Sequence, residues 1–241
     1  MAPRKSMDAA QLKEAMLAYR DALKAHQEAI NRLNVYPVPD GDTGTNMALT
    51  LEAVASELEA APPSMAEVCS AVAHGSLMGA RGNSGVILSQ LLRGACQVLS
   101  PLASVGPRDL ARALAEASRA ADQAVMRPVE GTILTVARRA AEEATAAAAE
   151  GAGLVELLER TRKAAAEALA ATPEMLAALK QAGVVDAGGA GFVLLVDALL
   201  FVADGRPLPA PEPQPAPVPA RAPEAGGVGA LRYEVTFLLE A

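Results

Sequence analysis

Turn-forming residues divide the first 205 residues into short helical lengths, and this punctuation limits the chain to a small set of folds. Residues 7–33 carry Leu12, Met16, Tyr19, Leu23, His26, Ile30 and Leu33 at alternating spacings of four and three, one stripe on one face of a helix. Residues 34–44, NVYPVPDGDTG, hold two prolines and two glycines and cannot continue it. A second helix has Met47, Leu51, Val54 and Leu58 on one face and stops at Pro62-Pro63. Ser64 and Glu67 form a capping-box pattern opening a third, which breaks at residues 79–82. A fourth helix starts near Ser84. Pro107 stands where a proline opens a fifth, running to about Met126. Residues 127–131 break the pattern before a sixth helix with Thr132 near its N-cap, and Gly151 and Gly153 separate that helix from a seventh. Thr172-Pro173 reads as the opening of a short helix, residues 183–191 as a glycine-rich loop, and a last apolar helix reaches about Ala203.

Eight long helices and one short one, joined by short connections, must lie antiparallel to their neighbours. The expected fold is therefore all-α, a helical bundle or a closed ring. Composition supports this. About half the residues are hydrophobic, yet there are three Phe, three Tyr and no Trp, so the core must be built from Ala, Leu and Val. Small Ala faces let helices approach closely. Three parts are expected: a helical domain over residues 1–206, a Pro/Ala-rich tether over 207–230, and the start of a following domain over 231–241, where Tyr233, Val235, Phe237 and Leu239 alternate like a strand.

A net charge of −7 argues against nucleic acid as the main partner, because no basic surface would neutralise a phosphate backbone. Cys69 and Cys96 have no CxxC spacing and read as reduced core thiols. Residues 1–20 lack the apolar core of a signal peptide, and the apolar run 192–203 is too short to span a bilayer and contains Asp197. These features lead us to expect a cytoplasmic protein without a transmembrane segment.

Four loops carry the chemistry. In the first, Asp40 and Asp42 stand one residue apart on a glycine turn, a pairing that can converge on a hard cation such as magnesium, and the turn feeds a helix whose free N–H groups favour anions. Thr43, Gly44, Thr45 and Asn46 follow. The second loop, GARGNSG over 79–85, again enters a helix; Asn83 and Ser84 can bond phosphate oxygens, and Arg81 can offset phosphate charge. The third ends in Gly131-Thr132. In the fourth, Asp186 can accept hydrogen bonds from ribose hydroxyls, and Ala187-Gly188 allow close approach to backbone. Taken singly, each loop is equally an ordinary turn or a helix cap. Their joint occurrence is what points to a site, because up-down helices bring every second loop to the same end. Other candidates are weaker. His26 and His74 have no metal spacing, Ser84 lacks the nucleophile-elbow pattern, and residues 138–150 read as a solvated helix face.

Together, NVYPVPDGDTGTNM over 34–47, GARGNSGVILSQ over 79–90, EGT over 130–132 and GVVDAGGAG over 183–191 resemble the nucleotide-binding domain of bacterial fatty acid kinase, which is similar to the ADP-binding L subunit of dihydroxyacetone kinase. The resemblance covers about residues 7–205. It implies an eight-helix antiparallel barrel with ATP or ADP and Mg2+ at one rim. It implies Asp40 and Asp42 as the catalytic metal carboxylates, with Asn34 beside them as a weaker ligand, where the dihydroxyacetone kinase branch carries a third aspartate. It assigns Thr43 to Asn46 with Asn83 and Ser84 to the phosphates, Gly131 and Thr132 to the base, and Asp186, Ala187 and Gly188 to the ribose side. It further implies an ATP-dependent kinase that phosphorylates a fatty acid held by a separate fatty-acid-binding protein, giving an acyl phosphate. In this expectation the helical domain is inactive by itself and downstream domains allow a homodimer. The alternatives are a dihydroxyacetone-kinase-like phosphotransfer subunit and a nucleotide-sensing module without turnover.

Overall fold

Asp8 opens the first helix through a reciprocal capping box. Its carboxylate accepts from Gln11 N–H, and its own N–H donates to Gln11 Oε1, both at 2.9 Å. The structure, a computed structural model, describes residues 4–211. Among these it holds α1 (Ala9–Leu33), α2 (Thr43–Ala60), α3 (Met65–Gly79), α4 (Gly82–Leu99), α5 (Pro107–Ala124), α6 (Ile133–Ala149), α7 (Leu154–Met175), α8 (Ala177–Ala182) and α9 (Ala187–Asp204). No strand occurs among the described residues; one isolated antiparallel bridge joins Met7 to Val105.

Each long helix packs on the next in chain order from α1 to α7. After α7, the single-turn α8 reverses the chain, and α9 packs on both α7 and α1, closing a ring of eight. Eight is an even number, so antiparallel order survives closure. The N-termini of α2, α4, α6 and α9 consequently share one rim. Tyr19, fully buried on α1, seals the junction: its hydroxyl donates to the Gly191 carbonyl of α9 at 3.1 Å. Burial holds the Tyr19 phenol well above its ordinary pKa.

Alanine makes the close contacts that the composition demands. On α6, Ala137, Ala140, Ala141, Ala144, Ala147 and Ala148 are all buried. Helix α9 is apolar on nearly every side, with a mean hydropathy of 1.8 over its 18 residues. It begins at Ala187 rather than near Phe192, so by length and composition it can cross a membrane; 78% of it is buried inside the ring, which accounts for its apolarity. The glycines expected to form a loop, Gly188, Gly189 and Gly191, lie in its opening turns.

Proline 173 is a second departure. It does not open a helix; α7 runs through it to Met175. The N–H it lacks would have bonded the carbonyl four residues back, that of Leu169. The Thr172 hydroxyl donates to that same carbonyl at 2.7 Å and fills the gap. At the expected start of the tether, Leu208 packs on the core, and His26 Nε2 of α1 is 3.0 Å from the Pro209 carbonyl oxygen. The rest of the expected tether and the 231–241 strand lie outside the described residues.

Gly94 sets the spacing of α4 on α5. A Cβ there would sit 2.7 Å from the Glu116 carbonyl oxygen, 2.8 Å from Ala120 Cβ and 2.9 Å from Ala117 Cα, none of which can swing aside. The substitution Gly94→Ala gains about 1 kcal/mol of helix propensity and meets an overpacking cost of about 1–3 kcal/mol. Because all three contacts are rigid, the upper end of that cost applies. A net loss of about 1–2 kcal/mol is expected in urea unfolding, and a raised midpoint would show that the interface is looser than described.

Candidate functional site

The loops at the shared rim enclose a cleft of about 460 Å³. All four contribute: Asn34, Asp40, Asp42, Thr43 and Asn46 among others from the first, Gly82 to Ser84 from the second, Val125 to Arg127 with Val129 and Thr132 from the third, and Asp186 to Gly188 from the fourth.

The first loop is organised by Asn34, which is only 7% exposed. Its Oδ1 accepts from Asp42 N–H at 3.1 Å and Thr43 N–H at 3.2 Å, and its amide donates to the Val38 carbonyl at 2.9 Å. Asn34 thus caps α2 from outside it, where Asp42, at the N-cap position, makes no side-chain cap bond. The sequence reading made Asn34 a metal ligand. In the structure its oxygen accepts from two backbone N–H groups, and these bonds shape the loop that presents the carboxylates.

Asp40 is exposed at the cleft edge and Asp42 is half-buried. The Asp40 carboxyl is held above its ordinary pKa, first by partial desolvation and then by the Asp42 carboxylate within hydrogen-bonding reach. Among the described residues no cluster of three or more His, Cys, Asp or Glu is placed to hold a metal. The donor set is therefore two crowded carboxylates whose repulsion a divalent cation would relieve. That fits magnesium, which takes one or two carboxylates and completes its shell with water and phosphate oxygens.

The structure divides the residues expected at the phosphates. Thr43 and Asn46 line the cleft; Gly44 and Thr45 do not. Gly44 lies against α1, where a Cβ would come within 2.2 Å of the Gln27 carbonyl oxygen. Thr45 is tied to α1 as well: its N–H donates to Asn31 Oδ1 at 3.1 Å, and its hydroxyl accepts from Asn31 at 3.0 Å and Gln27 at 3.2 Å. The first turn of α2 is thus largely satisfied internally, and side chains rather than its amides face the cleft. Helix α4 differs. It begins at Gly82, with Arg81 at the N-cap position and no side-chain cap bond, so its first-turn N–H groups lack an intrahelical acceptor beside Asn83 and Ser84. Arg81 is exposed, donates to the Ala80 carbonyl at 3.0 Å, and lies outside the lining.

Gly131 also lies outside. Its φ of +84° suits glycine, and a Cβ would meet Met175 Cβ at 2.9 Å, so it packs the third loop on the end of α7. Thr132 lines the cleft, but its hydroxyl donates to the Val129 carbonyl at 2.8 Å rather than capping α6.

Asp186 caps α9. Its carboxylate accepts from Gly189 N–H at 2.7 Å. It is 6% exposed, and burial pushes its pKa up to about 6 against the pull of that bond and of the nearby Ile133 N–H at the start of α6. The residue suggested for ribose recognition thus holds the start of α9 beside that of α6. Residues missed in the sequence form the apolar lining of the cleft: Val38, Val86, Ile87, Val125, Met126, Val129, Ile133 and Leu134. Met126, 99% exposed, and Val38 and Val86, both 47% exposed, are large apolar groups left in water beside the motifs. An apolar residue inside a helix break was the available signal.

The sequence model of the DAK2 domain matches residues 37–201. Protein YloV of Bacillus subtilis is 41% identical over 206 residues, which are 85% of this chain and 37% of that protein. An uncharacterized protein of Staphylococcus haemolyticus is 44% identical over 189 residues, 78% of this chain and 34% of its own length. The chain therefore spans about a third of the curated relatives it matches. The crystal structure of the dihydroxyacetone kinase of C. freundii superposes with a TM-score of 0.59 at 20% identity, over 83% of this chain and 36% of that one. At that identity the likeness concerns the fold.

The raised pKa of Asp186 has a consequence for stability. Its folded value, about 6, lies above its ordinary 3.8, so the native state holds the proton more tightly. The stability this confers is fully present below pH about 4 and is lost as pH rises through about 6, by on the order of 3 kcal/mol. Asp186→Asn carries no such titration. Relative to the parent, its unfolding free energy is expected to rise by on the order of 3 kcal/mol from pH 4 to pH 7. A pH-independent difference in urea unfolding would show that the carboxyl is not buried as described.

Proposed function

Given that the chain belongs to the DAK2 domain family, we propose that it is the Mg-ATP-binding domain of a cytoplasmic kinase that phosphorylates a protein-bound fatty acid to an acyl phosphate. The observation that carries the nucleotide reading is one cleft with two unlike kinds of lining. Its apolar lining suits a base, and the same cleft holds two carboxylates and the uncapped N-terminus of α4. In this reading the base lies against Val86, Ile87, Val125 and Met126. Asn46, Asn83 and Ser84 bind phosphate oxygens, and Asp40 and Asp42 hold magnesium. When bound, the metal supplies charge neutralisation across the phosphates. Thr43 and Asn34 keep the carboxylate loop in place, and Asp186 holds the start of α9 beside that of α6. Transfer then depends on position and charge. The acceptor is itself a carboxylate, so the domain needs no strong base.

The fatty acid acceptor is supported by the ordered motifs and by the neutral Asn34 in place of a third acid. The shared fold supports a second reading, a dihydroxyacetone-kinase-like phosphotransfer subunit. One assay separates them: phosphate transfer from Mg-ATP to a fatty-acid-loaded binding protein against transfer to dihydroxyacetone. We propose further that this chain binds nucleotide yet makes little acyl phosphate unless extended past Ala241. Equal rates from the two lengths would locate the whole activity in the helical ring.

Binding is tested first. Mg-ATP at a hundredfold excess over its dissociation constant is expected to stabilise the chain by about 2–3 kcal/mol, seen as a rise in Tm. Asp40→Ala and Asp42→Ala are each expected to weaken Mg-ATP in calorimetry while leaving the ligand-free fold intact, because removing either acid relieves repulsion. Unchanged affinity in both variants would remove the metal assignment.

A further inference from the structure

Glu130 is the acid of the EGT motif, yet it lies outside the cleft lining. Its side chain reaches onto α6 instead. Oε2 accepts from the Thr135 hydroxyl at 2.7 Å, and Arg138 Nη2 donates to Oε1 at 2.6 Å and to Oε2 at 2.7 Å. Thr135 is buried, and its hydroxyl in turn accepts from Gly131 N–H at 2.9 Å. The Thr135 hydroxyl first, and then the Arg138 charge, hold the Glu130 carboxyl below its ordinary pKa.

These bonds end on the loop that faces the cleft. Val125, Met126 and Val129 supply its apolar lining groups, and the Thr132 hydroxyl donates to the Val129 carbonyl at 2.8 Å. At the other end Val125 N–H bonds the Asp122 carbonyl at 3.3 Å, where α5 stops. Between these ends Met126 is 99% exposed, so packing inside the ring does not hold it. The place of the loop therefore depends on its two anchors. At the α6 anchor, Gly131 N–H, the Thr135 hydroxyl and the Glu130 carboxylate form a relay in which each bond strengthens the next.

The ion pair itself is a poor stabiliser. The side chains of Glu130 and Arg138 are 65% and 43% exposed, and a pair so exposed contributes little to folding. Its effect is on geometry. A carboxylate held by both Thr135 and Arg138 fixes the end of the loop before a ligand arrives, which lowers the ordering cost of binding. Resting on the nucleotide reading above, in which the base lies against Val125 and Met126, we propose that Glu130 is a positioning residue for the base. It touches no ligand. Through Thr135 and Arg138 it holds the third loop where its apolar side chains meet the base.

The experiment is calorimetry of Mg-ATP and Mg-tripolyphosphate on the parent chain, Glu130→Ala and Glu130→Gln, since tripolyphosphate carries the phosphates without the base. Glu130→Ala is expected to weaken Mg-ATP about threefold to tenfold, the scale of one hydrogen bond, and to leave Mg-tripolyphosphate within about twofold of the parent. Glu130→Gln is expected to recover part of the loss, because its amide oxygen can still accept from Thr135. Thermal unfolding without ligand checks the fold, and both variants are expected to melt close to the parent. A double-mutant cycle of Glu130→Ala with Met126→Ala on Mg-ATP is the second measurement, and it decides alone if Mg-tripolyphosphate does not bind the parent. If Glu130 acts through the loop, the two losses do not add. Equal weakening of both ligands, additive losses in the cycle or an unchanged Mg-ATP affinity would each overturn the inference and leave the nucleotide reading standing. A parent chain that does not bind Mg-ATP would overturn the nucleotide reading itself, and this inference with it.

Discussion

Closure of α9 on α1 is the contact on which the rest of the molecule depends. It converts a string of antiparallel helices into a ring with two distinct rims. Within this interface the buried Tyr19 hydroxyl bonds the Gly191 carbonyl, and Met47 and Leu23 crowd that glycine from α2 and α1. Without it the fourth loop would have no fixed relation to the first. The cleft, which draws on both, would have no floor.

At the cleft rim, capping and ligand chemistry compete for the same groups. A helix N-terminus satisfied by a side chain offers little to an anion. Here α2 is served by Asn34 and α9 by Asp186, so these two are largely committed to structure. Helix α4 keeps its opening turn available, with Asn83 and Ser84 beside it. The rim is therefore not four equivalent anion sites. The ends of α4 and α6 carry no side-chain cap, those of α2 and α9 are held closed, and the carboxylate pair stands in the same cleft.

Much of this could be read from the sequence, for identifiable reasons. Helical periodicity and the Pro and Gly breaks set the number of helices. Parity then placed all four motif loops at one end without any knowledge of tertiary contacts. Other features depended on distances that no linear pattern carries. Asn34 is eight residues from the amide it caps, and only the folded loop shows that its oxygen is occupied. Gly44, Thr45 and Gly131 sit within the motifs but face neighbouring helices, because each has a Gly or Thr role in packing that looks the same in sequence as a role in binding. The apolar lining of the cleft is hidden in the sequence because Val86 and Ile87 stand in an apolar stretch of α4 that looks the same as a core-facing one.

The pair Thr172-Pro173 bears on how such a sequence can change. The Thr172 hydroxyl does two things: it donates to the carbonyl orphaned by proline, and it accepts from Asp186 N–H at 3.1 Å, holding the residue that caps α9. With threonine already present, a proline can enter the next position and leave the helix running. In the reverse order, proline would leave the Leu169 carbonyl without its helical partner. The two residues are thus tied to an order of acquisition. A lineage that kept the proline could give up the hydroxyl only by disturbing the rim two loops away.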